Sequence, residues 1–188
     1  MRKNNKGISS NVITIIIIVL AAIVGLVLAF VNSGKNERSI KKTESYETQS
    51  FSGLSLEVPK VFEDKTSTYS KTYDDVLAWY ECDDAFVAVY SETIPSLDGA
   101  TLDDLSKLIG NMTFDGQKYT PVNKGNYLLI EYKQTFRESD SGKKEDGYYI
   151  DAFYIKGDTF YTVEAACLED KYYDYKEYMM KWVESFKY

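Results

Sequence analysis

The sequence predicts an α+β domain, an antiparallel β-sheet flanked by helices, preceded by one transmembrane helix. Three observations support this prediction. Residues 12–31 form an apolar run without a charge. Several later stretches have the polar and apolar alternation of half-buried strands. Two other stretches repeat their apolar residues with the period of a helix.

The apolar run begins at Val12, ends at Val31 and is long enough to cross a bilayer. At a rise of about 1.5 Å per residue, about 20 helical residues match a hydrocarbon core of roughly 30 Å. We therefore expect a single-pass signal-anchor in contact with the lipid bilayer. The basic residues 1–11 would form a short cytoplasmic tail, with the domain outside the cell membrane.

Two alternatives to this topology stay open. A signal peptide cleaved after Ala29 has suitable residues at the cleavage site, although the apolar run continues beyond it and exceeds the usual hydrophobic region. The direction of insertion is the second open point, because basic residues flank the run on both sides. Arg2, Lys3 and Lys6 precede it, and Lys35, Arg38, Lys41 and Lys42 follow it.

Charge and composition restrict the function. Residues 32–50 are polar and are predicted to be a flexible tether, and residues 51–188 have the length of one folded domain. Residues 1–50 carry a net charge of +4, whereas residues 51–188 carry −11. An acidic domain argues against nucleic acid as a partner. The chain has no histidine, which removes the commonest general base and metal ligand, and we expect no cofactor.

The first half of the domain is predicted to contain three strands and one helix. Residues 52–59 alternate cleanly and end at Pro59. The β-rich runs 76–81 and 85–90 are separated by a turn-sized break, which predicts a hairpin. Residues 101–112 have one apolar helical face, and Thr101 with Asp104 resembles a capping pair at its start.

The second half is predicted to be a three-strand meander followed by a helix. The strands are residues 127–136, 148–155 and 159–167, with a charged loop at 137–147 between the first two. Asp170 is a plausible N-cap for the last helix. This helix carries an aromatic stripe, which indicates a core face, with sugar or apolar ligand binding as the alternative. The stripe consists of Tyr175, Tyr178, Met179, Trp182 and Phe186.

Candidate chemistry is sparse, and no catalytic motif is present. Cys82 and Cys167 would form one disulfide outside the cytoplasm, or else are two buried thiols. Glu131 and Glu164 are candidates for a carboxylate pair facing across the sheet, although a solvated sheet face is the commoner arrangement. An acidic group near the predicted hairpin is interpreted as a solvated turn, with a cation site as the alternative. It comprises Asp74, Asp75, Glu81, Asp83 and Asp84.

The order of elements resembles the PsbP-like superfamily, which includes an extrinsic photosystem subunit and DcrB-type bacterial envelope proteins. The residues that carry the resemblance are Leu54-Ser55-Leu56-Glu57-Val58-Pro59, Phe160-Tyr161-Thr162-Val163 and Trp182-Val183-Glu184-Ser185-Phe186-Lys187. The resemblance implies an αβα sandwich without enzymatic activity, and it carries over no functional residues.

Together with the predicted anchor, the resemblance suggests an extracytoplasmic binding or accessory module, an assembly or stabilising factor for a membrane or envelope complex. Its protein partner would lie in or near the membrane. The alternatives are a ligand-sensing domain that works with a membrane partner and a carboxylate-dependent envelope hydrolase.

Overall fold

The computed structural model describes residue 40 and residues 45–97, 99–114, 117–137 and 144–188. The strands are β1 (Tyr46–Phe51), β2 (Leu54–Pro59), β3 (Glu63–Asp64), β4 (Val76–Glu81), β5 (Ala85–Thr93), β6 (Thr113–Phe114), β7 (Gln117–Lys118), β8 (Val122–Asn123), β9 (Leu128–Arg137), β10 (Lys144–Lys156) and β11 (Thr159–Leu168). The helices are α1 (Thr66–Tyr69), α2 (Leu102–Asn111) and α3 (Tyr172–Glu184).

The core is organised around a seven-stranded sheet whose strand order is β3-β4-β5-β11-β10-β9-β8. Every neighbouring pair in it is antiparallel. One face packs against α2 through Leu105 and Ile109, and the other packs against α3 through Met179 and Trp182. The hairpin of β1 and β2 lies in the α3 layer, where Leu56 is fully buried. The fold is therefore the predicted antiparallel sheet between helices.

Helix α2 begins where the sequence predicts. The Thr101 hydroxyl oxygen accepts from the Asp104 backbone N–H at 3.2 Å, and an Asp104 carboxylate oxygen accepts from the Thr101 N–H at 3.2 Å. These reciprocal bonds are a capping box that satisfies two free donors at the helix start. The apolar residues Leu105 and Ile109 then face the sheet.

The start of the domain differs from the prediction. Strand β1 lies largely within residues 32–50, which the sequence predicts to be a flexible tether, and it pairs along its whole length with β2. Ser52 and Gly53 in the connecting turn have φ angles of 50° and 80°, as a tight hairpin requires. The strand is polar and half-exposed, so its own residues lack a clear alternation and the pairing comes from β2.

The start of the last helix also differs. Strand β11 continues to Leu168, and residues Glu169–Lys171 form a 3₁₀ turn. Lys171 therefore occupies the N-cap position of α3, and the predicted N-cap at Asp170 is wrong. The predicted aromatic stripe is confirmed as a core face, because Tyr175, Met179 and Trp182 are buried.

Within the described ranges, no helix has the length and apolar character needed to cross a bilayer. Residues 12–31 lie outside those ranges, and so do residues 1–11, 32–39 and 41–44. The transmembrane signal-anchor and its direction stay predictions.

Candidate functional site

A buried group of polar side chains lies on the α2 face at the centre of the sheet. Asp151 of β10 is directly opposite Glu164 of β11. In the flanking registers, Thr162 is opposite Tyr90 and Tyr149 is opposite Tyr132. Directly opposed residues of antiparallel strands project from the same face. We call this set the acid cluster: Tyr90, Tyr132, Tyr149, Asp151, Thr162 and Glu164.

The acid cluster is buried and only partly hydrogen-bonded. The exposed fractions of Asp151 and Glu164 are 1% and 0%. The Tyr132 hydroxyl donates to Asp151 Oδ2 at 3.1 Å. Six further oxygens of the acid cluster have no hydrogen-bond partner within the described part of the chain: Asp151 Oδ1, both carboxylate oxygens of Glu164, Thr162 Oγ1 and the hydroxyls of Tyr90 and Tyr149. Buried polar atoms rarely lack a hydrogen-bond partner, so the acid cluster is an unusual part of the core.

Burial controls the protonation of the two carboxyls. Removal from water raises the pKa of Asp151 to about 8, and the hydrogen bond from Tyr132 opposes the rise. The pKa of Glu164 is raised well above its usual value, first by burial and then by the neighbouring charge of Asp151. Tyr90 approaches Glu164 and opposes this rise, although its hydroxyl is outside hydrogen-bonding geometry. Burial therefore favours the protonated form of both carboxyls at neutral pH.

The predicted pairing of Glu131 with Glu164 is wrong. Glu131 is on β9 and Glu164 is on β11, and β10 lies between them. Glu131 faces α3, where it accepts a hydrogen bond from the Tyr172 hydroxyl at 2.8 Å and forms an ion pair with Lys176. Glu164 faces the opposite layer, and its cross-strand neighbour is Asp151. Sequence reasoning recognised Glu164 as a candidate but gave it the wrong partner.

The two cysteines lie near Asp84 in the α3 layer. Cys82 Sγ donates to Asp84 Oδ1 at 3.2 Å, and Cys167 is directly opposite Ala85 in the sheet. Both thiols are free and buried, and burial raises the pKa of each. Such thiols react slowly because little thiolate forms. The disulfide between Cys82 and Cys167 stays a prediction.

The fold separates the members of the acidic group near the β4–β5 hairpin. Asp84 is buried at 5% exposure and accepts from the Tyr175 hydroxyl at 2.8 Å. Glu81 accepts from the Tyr69 hydroxyl at 3.1 Å and from the Trp79 indole N–H at 2.7 Å. Among the described residues, no group of three or more acidic or cysteine side chains is arranged to hold a metal ion.

A surface groove lies between the β1–β2 hairpin and the end of α3. Its volume is about 400 Å³, and its lining combines two lysines, two glutamates and three uncharged side chains: Tyr46, Glu57, Lys181, Trp182, Glu184, Ser185 and Lys187. The Ser185 hydroxyl accepts from the Glu57 backbone N–H at 2.9 Å, which joins the two walls. The buried Trp182 indole N–H has no acceptor among the described residues. The groove therefore offers both signs of charge to a polar ligand or a polypeptide segment.

Comparison by sequence finds no family model and no curated protein that matches this chain. Comparison by structure finds the solution structure of cyanobacterial PsbP (CyanoP) from Synechocystis sp. PCC 6803. The TM-score is 0.51 at 11% identity, over 82% of this chain and 97% of that chain. The crystal structure of the Saccharomyces cerevisiae Ran-binding protein Mog1p matches with a TM-score of 0.44 at 15% identity, over 77% of this chain and 96% of that chain. The described domain has a PsbP-like fold.

Proposed function

We propose that this chain is a membrane-anchored, extracytoplasmic binding or accessory module that assembles or stabilises a membrane or envelope complex. The observation that carries the proposal is the groove between the β1–β2 hairpin and α3, because it is a concave surface that a partner can bind. The apolar residues 12–31 support the anchor. The PsbP-like fold supports a binding role, because the resemblance implies binding or assembly factors.

The proposal assigns no catalytic step to the domain and no nucleic-acid partner. Its charge of −11 over residues 51–188 repels polyanions and favours a partner with basic or neutral surfaces. Lys181 and Lys187 in the groove lining add local positive charge, so a partner segment that carries both acidic and basic residues fits the groove best.

Purification of the tagged full chain from solubilised membranes tests this function. We expect a specific membrane partner to be recovered at native expression levels. Lys181→Glu reverses one charge in the groove and is expected to lower the recovery of that partner. Lys107→Glu reverses the charge of an exposed lysine on α2, which packs on the other face of the sheet, and is the control. Recovery of no specific partner, or equal recovery with both variants, would contradict the proposal.

A second candidate function, sensing together with a membrane partner, is favoured by the acid cluster. Asp151 has a pKa of about 8, so a buried charge appears within a moderately alkaline range. Partner recovery that changes between pH 6 and pH 9 in the unaltered chain, and does not change in Asp151→Asn, is the expected result. Identical pH dependence of partner recovery in the unaltered chain and in Asp151→Asn would exclude this function.

A further inference from the structure

Ile40 contacts the folded domain although the sequence places it in the predicted tether. Its exposed fraction is 8%, and it belongs to the α3-side core. The Ile40 backbone N–H donates to the Tyr175 hydroxyl at 3.1 Å. The same hydroxyl donates to Asp84 Oδ2 at 2.8 Å. One tyrosine of α3 therefore joins the tether to the turn between β4 and β5.

The receiving site for Ile40 is held from several sides. The other carboxylate oxygen of Asp84 accepts from Cys82 Sγ at 3.2 Å. The Asp84 backbone carbonyl accepts from the Leu168 N–H at 3.1 Å, which ties the turn to the end of β11. Tyr175 itself is 5% exposed. The site is therefore built from α3, the β4–β5 turn and β11, and it belongs to the rigid core.

The charges of the two partners are complementary. Arg38, Lys41 and Lys42 flank Ile40 in the sequence. The end of the domain that receives Ile40 has an excess of carboxylates in the β4–β5 turn, the 3₁₀ turn and the first turn of α3: Asp83, Asp84, Glu169, Asp170 and Asp174. Glu169 and Asp170 form ion pairs with Lys133 and Lys171, and the remaining charge of this end is still negative. Opposite charges favour this end of the domain as the docking place of a basic segment.

We propose that the domain binds its own tether at Ile40 and that this contact turns the Asp84 end of the domain toward the bilayer. The inference rests on the proposed membrane anchor. Eight residues lie between Val31, at the end of the predicted span, and Ile40, so nine residue-to-residue steps join them. Fully extended, they reach at most roughly 30 Å, because each residue spans no more than about 3.3–3.6 Å. The Asp84 end thus remains close to the membrane, and the β10–β11 turn at the other end of the sheet points away.

The first test measures the contact without a bilayer. Trypsin cleaves after Arg38, Lys41 and Lys42, and the contact at Ile40 protects these sites in the detergent-solubilised full chain. Tyr175→Phe removes the bridging hydroxyl and keeps the ring. We expect it to speed cleavage roughly five- to tenfold, as the loss of one hydrogen bond would. Ile40→Asp is expected to speed cleavage further.

Tyr178→Phe is the matched control, because Tyr178 is on the same helix and is only partly buried. Trypsin should cleave the Tyr178→Phe variant at the same rate as the unaltered chain. Circular dichroism of each variant shows whether the domain keeps its fold. Equal cleavage rates in the unaltered chain, Tyr175→Phe and Ile40→Asp would overturn the proposal.

The second test measures orientation in phosphatidylcholine vesicles that contain a lipid-bound acceptor dye. A donor dye is attached at Asp170→Cys or at Asp158→Cys, both exposed and at opposite ends of β11. The strand has 10 residues, so the two labels are separated by roughly 30 Å. We expect stronger energy transfer from the dye at Asp170→Cys than from the dye at Asp158→Cys. The difference between the two labels should be smaller when the chain also carries Tyr175→Phe.

The outcomes separate this inference from the membrane anchor. Equal transfer from the two labels, in a chain that floats with the vesicles, would overturn the orientation and leave the anchor intact. A chain that does not float with vesicles would overturn both the anchor and the orientation. The trypsin result judges the contact at Ile40 in either case.

Discussion

Replacing Asp151 by asparagine tests the acid cluster, because it removes a titrating group and keeps an oxygen that can accept from Tyr132. In the folded chain the pKa of Asp151 is about 8, against 3.8 for an ordinary aspartate. Between these values the folded chain holds a proton that the unfolded chain has released. The contribution of Asp151 to the free energy of unfolding therefore falls as the pH rises through this window, and it is constant above it.

The expected magnitude follows from the pKa shift. Each pH unit within the window changes the free energy of unfolding by about 1.4 kcal/mol for one group. From pH 5 to pH 7, the free energy of unfolding of the unaltered chain therefore falls by about 3 kcal/mol more than that of Asp151→Asn. Glu164 keeps its own pH dependence in this variant, so the slope is reduced without being abolished.

Urea unfolding of the full chain in mild detergent at pH 5, 6 and 7 measures this difference. Trp79 and Trp182 are buried on opposite faces of the sheet, so their fluorescence reports both layers. Asp174→Asn, an exposed change on α3, controls for the loss of a carboxylate. Parallel stability curves for the unaltered chain and Asp151→Asn would refute the raised pKa of Asp151.

Three further predictions concern the helices and the thiols. Thr101→Ala removes half of the capping box with Asp104 and should lower the free energy of unfolding by about 1 kcal/mol, measured by urea titration; no change would contradict the cap. Met179→Ala opens a cavity at a fully buried position and should lower the free energy of unfolding by about 2–5 kcal/mol in the same assay. A smaller decrease than that of Thr101→Ala would contradict the packing of α3. In the reduced chain, Cys82 and Cys167 should react with a thiol reagent far more slowly in the native state than in urea, because both are buried and have raised pKa values; equal rates would contradict their burial.

Local patterns predicted most elements of the sheet and the two long helices. The alternation of β2, the β-rich runs of β4 and β5, and the capped apolar face of α2 each depend on residues close in sequence. Strand β1 escaped prediction because Tyr46–Phe51 is polar and half-exposed, and only pairing with β2 makes it a strand. The N-cap of α3 was misplaced because β11 runs on to Leu168, a length that depends on its sheet neighbours.

The acid cluster depends on the register between β10 and β11, which the alternation within either strand does not set. A signal was present, because Asp151 alternates with Tyr149 and Phe153, and an acidic residue on an otherwise aromatic face is unusual. That pattern cannot say which residue of β11 lies opposite. The pairing of Asp151 with Glu164 follows from the two-residue turn at Gly157 and Asp158, which fixes the register of the hairpin. The groove also could not be predicted from local patterns, because its walls come from the first and the last elements of the domain in the sequence.

The most direct test of a membrane-anchored domain outside the cytoplasm is labelling of Tyr173→Cys in intact cells with a membrane-impermeant maleimide. Tyr173 is 92% exposed, whereas the two native thiols are buried, so the unaltered chain supplies the background. We predict that Tyr173→Cys is labelled without permeabilisation and that the labelled chain remains in the membrane fraction. Labelling only after the cells are permeabilised would contradict the account.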